Sequence, residues 1–366
     1  MSKSAHVCLA VFLCFPTIAF AQAGTGAEGA AGQAPAPVLN ARTTPTPSSD
    51  AAEGRIRLDV VVTDKAGKPV SGLELKDFTL LDDNRPSKIL SFHAIDAVAQ
   101  AASQPVEVIL LLDAANLGFQ SVSEARYQIA KFLRQDGGHL AEPVSILVFG
   151  DDGVKVLAQP STDGNALATQ LNNADSQLRV IGRAAQWGGI ERFNLSLKWI
   201  STIAQSEAKQ PGKKLLIWAG PGWPLLDQPN MDFSSKAQQQ LFDSIVFLST
   251  ALRDGHMTLY SVSLGDANSS TFIYQGFLKG VKTAEKANAP NLSLKVLAVE
   301  TGGQVLGPDN DIAAQIGRCV RDAGAFYSIS FDPPKADRAN EYHDLKVQID
   351  QPGLTARTNT GYYNQP

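Results

Sequence analysis

The sequence predicts an α/β protein, a mostly parallel six-stranded sheet with helices on both faces, joined to a small β-sandwich-like domain built from the two flanks of the chain. Three observations predict it. Six strand-length runs that are apolar almost throughout recur between 104 and 332, and such runs belong to sheets buried on both faces. Stretches with apolar residues at helical spacing lie between most of them. β-rich segments with turn residues flank this region at 55–98 and 338–366, and fragments of two to four strands hold together better as one paired unit than apart.

The chain opens on MSKSAHVCLAVFLCFPTIAFAQA, with Lys3, an apolar run from Val7 to Phe20 and small residues at Ala19, Ala21 and Ala23. Charge, apolar run and an A-x-A site, in that order, form the pattern of a secretory signal peptide over residues 1–21. The run is too short to span a bilayer of about 30 Å. Residues 22–54 are Ala-, Gly-, Pro-, Thr- and Ser-rich and carry too little bulky apolar surface to offset ordering entropy, so a disordered linker is expected.

The first folded segment, RIRLDVVVT (55–63), is followed by a turn, and DFTLLDDNRPSKILSFHAI reads as a hairpin around 82–84. In the central region the strand-like runs are 105–113, 143–150, 153–159, 213–220, 256–264 and 324–331. Between them, Val122, Ala125, Ile129, Phe132 and Leu133 mark one amphipathic helix. Leu241, Ile245, Leu248 and Leu252 mark a second, and Ile312, Ile316 and Val320 a third. FGDDGVKV links two strands through a D-G turn, which predicts one antiparallel hairpin in the sheet. The C-terminal flank, EYHDLKVQID, a QPG turn and LTARTNTGYY, is expected to pair with the N-terminal one.

Composition bounds the function. The 366 residues are 44% apolar and 19% charged, with a net charge of −4. Nucleic-acid binding needs an excess of Lys and Arg that is not here. Loss of residues 1–21 would leave 31 basic against 36 acidic residues and one cysteine, Cys319. A single thiol forms no internal disulfide, and Cys319 on an apolar helix stripe reads as a core thiol. No stretch beyond the signal region is long and apolar enough to cross a membrane.

In open α/β sheets, ligands gather outside the carboxyl ends of the strands. The first central strand ends on Asp113 in LLLDAANLGFQS. This strand–Asp–loop–helix opening, with six strands and one antiparallel hairpin, resembles the von Willebrand factor A (vWA) fold, a Rossmann-like architecture. The flanking DVVVTDKAGKPVSGLELKDFTLLDDNRPSKILSF, VLAVETGGQV, GAFYSISFDPP and HDLKVQIDQPGLTARTNTGYY resemble secreted vWA-related proteins common in Acidobacteria. The resemblance covers 55–363 and implies a secreted or periplasmic protein–protein interaction module.

It also implies a test. Metal-binding vWA domains carry D-x-S-x-S after the first strand, a Thr from a later loop and an Asp after the fourth strand, a set that suits the octahedral oxygen sphere of Mg²⁺. Here Asp113 remains, Ala115 and Leu117 replace both serines, Gly220 stands where the second acid would be, and GRAAQWGGIERFNLSL offers no Thr. We therefore expect a degenerate metal-ion-dependent adhesion site, with no metal and no cofactor, Mg²⁺ included. Asp113 is then a carboxylate that accepts backbone N–H bonds at the start of the next helix.

Aromatic residues occupy the loops around this point. Asp113, Asn116, Phe119, Trp187 and Trp223 form the candidate partner-binding set, and the aromatics either anchor a partner protein or fill the pocket a metal would have held. No catalytic residues are selected. His93, His139, His256 and His343 show no metal-ligand spacing, no G-x-S-x-G is present, and Asp82–Asp83 and Asp151–Asp152 sit at hairpin turns, where Asp bonds its own backbone. The expected function is non-enzymatic, adhesion-like binding of a protein partner in the envelope or outside the cell. The alternatives are an exported hydrolase built on an unrecognised carboxylate pair and a structural part of an envelope assembly.

Overall fold

The computed structural model describes residues 54–96, 105–174, 185–223, 234–263, 269–307 and 311–366. The expected signal peptide and nearly all of the expected linker lie outside these residues.

The central sheet is built from β5 (Val106–Asp113), β6 (His139–Gly150), β7 (Gly153–Asp163), β8 (Lys213–Ala219), β9 (Met257–Val262) and β10 (Gln304–Leu306), in the order β10-β9-β8-β5-β6-β7. Every neighbouring pair is parallel except β6 and β7, which form the hairpin expected at the D-G turn. The fold class is therefore as expected, an α/β protein with a mostly parallel six-stranded sheet accompanied by two antiparallel sheets.

Both faces of the sheet are covered, and the side chains of β5 show why its run is continuously apolar. Val108, Leu110 and Leu112 pack with α1 (Phe119–Leu133), α2 (Gly164–Asn172) and α6 (Ile312–Val320). Ile109 and Leu111 point the other way, into the core shared with α3 (Ala185–Glu207), α4 (Ser235–Asp254) and α5 (Leu294–Glu300). Alternate residues of a strand face opposite sides, so burial on both sides leaves no polar position from Val108 to Leu112. Among the described residues no helix is long and apolar enough to cross a membrane.

The two chain ends form the antiparallel sheets. One has the order β13-β1-β11-β4, from β13 (Thr355–Arg357), β1 (Ile56–Thr63), β11 (Ala325–Phe331) and β4 (Ser91–Asp96). The other is β14-β12-β2-β3, from β14 (Gly361–Asn364), β12 (Glu341–Ile349), β2 (Phe78–Asp82) and β3 (Arg85–Ser87). Leu58, Val60 and Val62 of the first meet Leu80, Val347 and Tyr362 of the second in a common core. The β2–β3 turn places Asp83 and Asn84 at positive φ (47° and 63°), the conformation of a type I′ hairpin, for which Asp and Asn are suited.

One expectation needs correction. The run at 324–331 is not the sixth strand of the central sheet. It forms β11, which pairs with β1 and β4, and the sixth strand is the three-residue β10. Both faces of β11 are covered: Phe326 enters the core of the central sheet, while Tyr327, Ile329 and Phe331 enter the sandwich core. An antiparallel strand enclosed in this way has the pattern of a parallel one. The C-terminal flank pairs with the N-terminal one as expected, β12 with β2 in one antiparallel sheet and β13 with β1 in the other.

Lys213, at the start of β8, is 1% exposed, and its Nζ has no hydrogen-bond partner among the described residues. The ammonium lies 4.2 Å from the centre of the Phe326 ring. Burial pushes its pKa down, and Asp59 and Asp322 oppose that shift. A buried charge that lacks a direct bond costs more than a cation–π contact returns. Lys213→Met is expected to raise unfolding stability at pH 7 by about 1–3 kcal/mol. A folded-state pKa below the unfolded one means that the wild type gains stability as pH rises toward 10.5. The difference between the two proteins in urea titrations should therefore shrink from pH 7 to pH 10, and an unchanged difference would contradict this account.

Candidate functional site

The carboxyl end of β5 carries Asp113, which is fully buried. Trp218 Nε1–H of the neighbouring β8 donates to its Oδ2 at 2.8 Å. The backbone N–H of Asn116 donates to Oδ1 at 3.0 Å, and the Asn116 amide Nδ2 reaches Oδ1 at 3.0 Å and Oδ2 at 3.1 Å. The backbone of Ala115 adds a further bond. Asp113 thus accepts N–H groups from the loop that leads into α1, as expected from sequence. The indole was not anticipated, because the contact depends on β5 and β8 being adjacent.

Burial is the dominant influence on this carboxyl and raises its pKa to about 6, against the hydrogen bonds from Trp218, Asn116 and Ala115, which lower it. The group is a pinned acceptor in a dry setting. Gly220 follows β8, and a Cβ added there would stand 2.5 Å from the Asp113 Cβ. A side chain of any kind at 220 collides with Asp113, and an acid would add like charge to the collision.

Above the carboxylate the aromatics stack edge to face. Trp218 meets Phe149 at 5.6 Å and Trp223 at 5.4 Å between ring centroids. Trp223 is 4% exposed, and its Nε1–H donates to the Leu292 carbonyl at 2.8 Å. The reading of Trp223 as a surface anchor is thereby corrected: it fills the pocket, with its one polar atom satisfied by backbone.

Phe119 differs. It is the first residue of α1 and is 74% exposed. Trp187 lies in the first turn of α3 rather than in a loop, and its side chain falls outside the described residues. Of the five residues selected from sequence, Asp113 and Asn116 are bonded to each other, Trp223 joins them indirectly through Trp218, and Phe119 opens the helix that follows their loop.

A groove of about 600 Å³ lies elsewhere, lined by Val299, Gly302, Gly303 and residues 345–350 and 354–360. Asp350 is the single carboxylate in its lining. Cys319, expected in the core, is fully buried, and its thiol pKa is pushed well up by burial, which leaves it inert as a nucleophile.

No protein-family model matches the sequence, and no curated protein matches it. Among solved structures, the chain is similar to the human COPII-coat protein Sec24c, with 8% identity and a TM-score of 0.37 over 74% of this chain and 46% of that one. It therefore spans less than half the length of Sec24c. It is similar also to the SpRpn10 vWA domain, with 14% identity and a TM-score of 0.29 over 58% of this chain and 95% of that domain. A third likeness is to the PilB minor pilin from Streptococcus sanguinis, with 9% identity and a TM-score of 0.32 over 61% and 63% of the two chains.

Proposed function

We propose that this protein is an exported, non-enzymatic interaction module of the vWA type that binds a protein partner without a metal ion at the carboxyl end of its central sheet. The observation that carries the reading is the state of Asp113. Both of its oxygens accept N–H groups from Asn116 and Trp218, while Ala115, Leu117 and Gly220 hold the positions from which hydroxyls and a second acid would come. These residues do not fit a hexacoordinate Mg²⁺, which needs oxygen ligands around it. A carboxylate sealed in this way serves the scaffold.

Binding then falls to what remains exposed at that end, and among the described residues Phe119 is the large apolar side chain there, at 74% exposure. An aromatic on a rigid helix start is a low-entropy anchor for a partner. The hydrolase alternative gains nothing from the groove at 345–360, which has Asp350 but no second carboxylate. Export rests on the residue pattern of 1–21.

The test is capture of envelope and extracellular proteins on the full chain, compared with Phe119→Asp, each with Mg²⁺ and with a chelator. Phe119 is exposed, so the variant should keep its circular dichroism and its melting temperature. Capture is expected to fall at least 10-fold in Phe119→Asp, the order of losing one interface anchor, and to be the same with and without Mg²⁺. Capture that survives the variant, or that requires Mg²⁺, would overturn the reading.

A further inference from the structure

At the far end of the second antiparallel sheet, strand pairing gathers three chain segments around one imidazole. β2 ends on Asp82, and the turn that follows holds Asp83. His343 of β12 stands directly opposite Tyr362 of β14, and their rings stack at 4.9 Å with an 18° tilt. His343 is 8% exposed. Its Nδ1 lies 2.9 Å from Asp82 Oδ1 and 3.6 Å from Asp83 Oδ2. Read from sequence alone, the two acids are turn residues and the histidine shows no metal-ligand spacing.

We propose that Asp82, Asp83 and His343 form a binding site for a divalent transition-metal cation of the Zn²⁺ class. One donor atom from each residue lies within 4.8 Å of the other two. Ligands held about 2.0–2.2 Å from a tetrahedral zinc ion stand roughly 3.3–3.6 Å from one another; His343 Nδ1 lies 3.6 Å from Asp83 Oδ2 and 2.9 Å from Asp82 Oδ1, so a shift of about half an ångström at Asp82 seats the ion. One imidazole and two carboxylates suit Zn²⁺ and its neighbours better than Mg²⁺, which prefers oxygen alone.

The outer contacts argue in the same direction. Tyr362 O–H donates to Asp82 Oδ2 at 2.7 Å, and the backbone N–H of Asp344 donates to Asp83 Oδ1 at 3.1 Å. Each carboxylate therefore has its distal oxygen held and its near oxygen turned to the imidazole, which is how outer partners orient metal ligands. The imidazole is fixed by its stacking on Tyr362. His343 Nε2 has no hydrogen-bond partner among the described residues. That cost is present whether Nδ1 holds a proton or a cation, so it does not weigh against the ion. The Asp83 side chain is 43% exposed, which gives a cation its way in and water the remaining coordination positions.

Such an ion would fasten the β2–β3 hairpin to the C-terminal strands, and it is independent of the strand-end face. The test uses the full chain without an affinity tag, stripped with a chelator and dialysed. Zn²⁺ alone is titrated calorimetrically, and Co²⁺ alone is followed by its visible absorption. One Zn²⁺ per chain is expected, with a rise in melting temperature. Asp83→Asn, in an exposed turn and so able to fold, should weaken binding at least 10-fold. Tyr362→Phe, which releases Asp82 Oδ2, should weaken it 10- to 100-fold. Absence of stoichiometric Zn²⁺ in the wild type, or Zn²⁺ affinity equal in wild type and Asp83→Asn, would overturn the proposal.

Discussion

Truncation of Trp218 to Ala lowers the unfolding free energy by about 3–5 kcal/mol, the range for removing a large aromatic from a packed core. Trp218 is fully buried between Phe149 and Trp223, so little can collapse into the space. Trp218→Phe separates packing from polarity. It keeps a ring against Phe149 but deletes the N–H that reaches Asp113 Oδ2 at 2.8 Å, a bond to a charged acceptor worth about 1.5–3 kcal/mol. The indole stabilises the ionised carboxyl specifically. The deficit of Trp218→Phe in denaturant titrations should therefore be larger at pH 7 than at pH 4. An equal deficit at both would show that the bond to Asp113 contributes nothing.

Asp113→Asn carries the complementary expectation. The pKa of Asp113 rises from 3.8 to about 6 in the folded state, so between those values the folded protein holds a proton that the unfolded chain has released. Stability attributable to this group is present below about pH 4 and is lost as pH rises through about 6. A shift of that size corresponds to roughly 3 kcal/mol. The asparagine variant lacks this loss, so its stability relative to wild type should improve by that order between pH 4 and pH 7. The improvement is an interval between two measurements, so the variant's fixed cost drops out. A gap that does not change with pH would place the titrating carboxyl elsewhere.

The parts of this architecture that could be read from sequence are those in which a residue's neighbours in space are also its neighbours in the chain. Val122, Ala125 and Ile129 mark α1 because helical spacing brings them onto one face. Asp83 and Asn84 mark a tight hairpin because they tolerate positive φ. Asp113 accepts the backbone N–H of Asn116 three residues on, and that local bond was legible because both residues share one short loop.

What escaped the sequence depends on strand order. β11 looks like a strand of the central sheet because both of its faces are buried, and burial leaves the same apolar text whichever sheet a strand joins. β10 is three half-buried residues at an edge, too few to show a period. Trp218 lies in an apolar strand run, and its role toward Asp113 follows only from the β5–β8 pairing that sets Leu111 beside Trp218. His343 and Asp82 are 261 residues apart, and no local pattern connects them.

The antiparallel ladder of β4 and β11 sets Asp96 opposite Ala325, so the chain leaves the β sandwich for the α/β sheet and returns to it one strand spacing away, about 5 Å. Tension applied between the two ends of the folded chain enters at Ile56, which pairs with Phe331 at the end of β11, and leaves through β14, which pairs with β12. The load passes across these ladders from β1 to β11 and on to β12 and β14, and directly from β1 to β13, which leads into β14. The α/β sheet hangs from that path as a side branch. The strand ends of that sheet therefore lie off the loaded path, and the sandwich bears the strain.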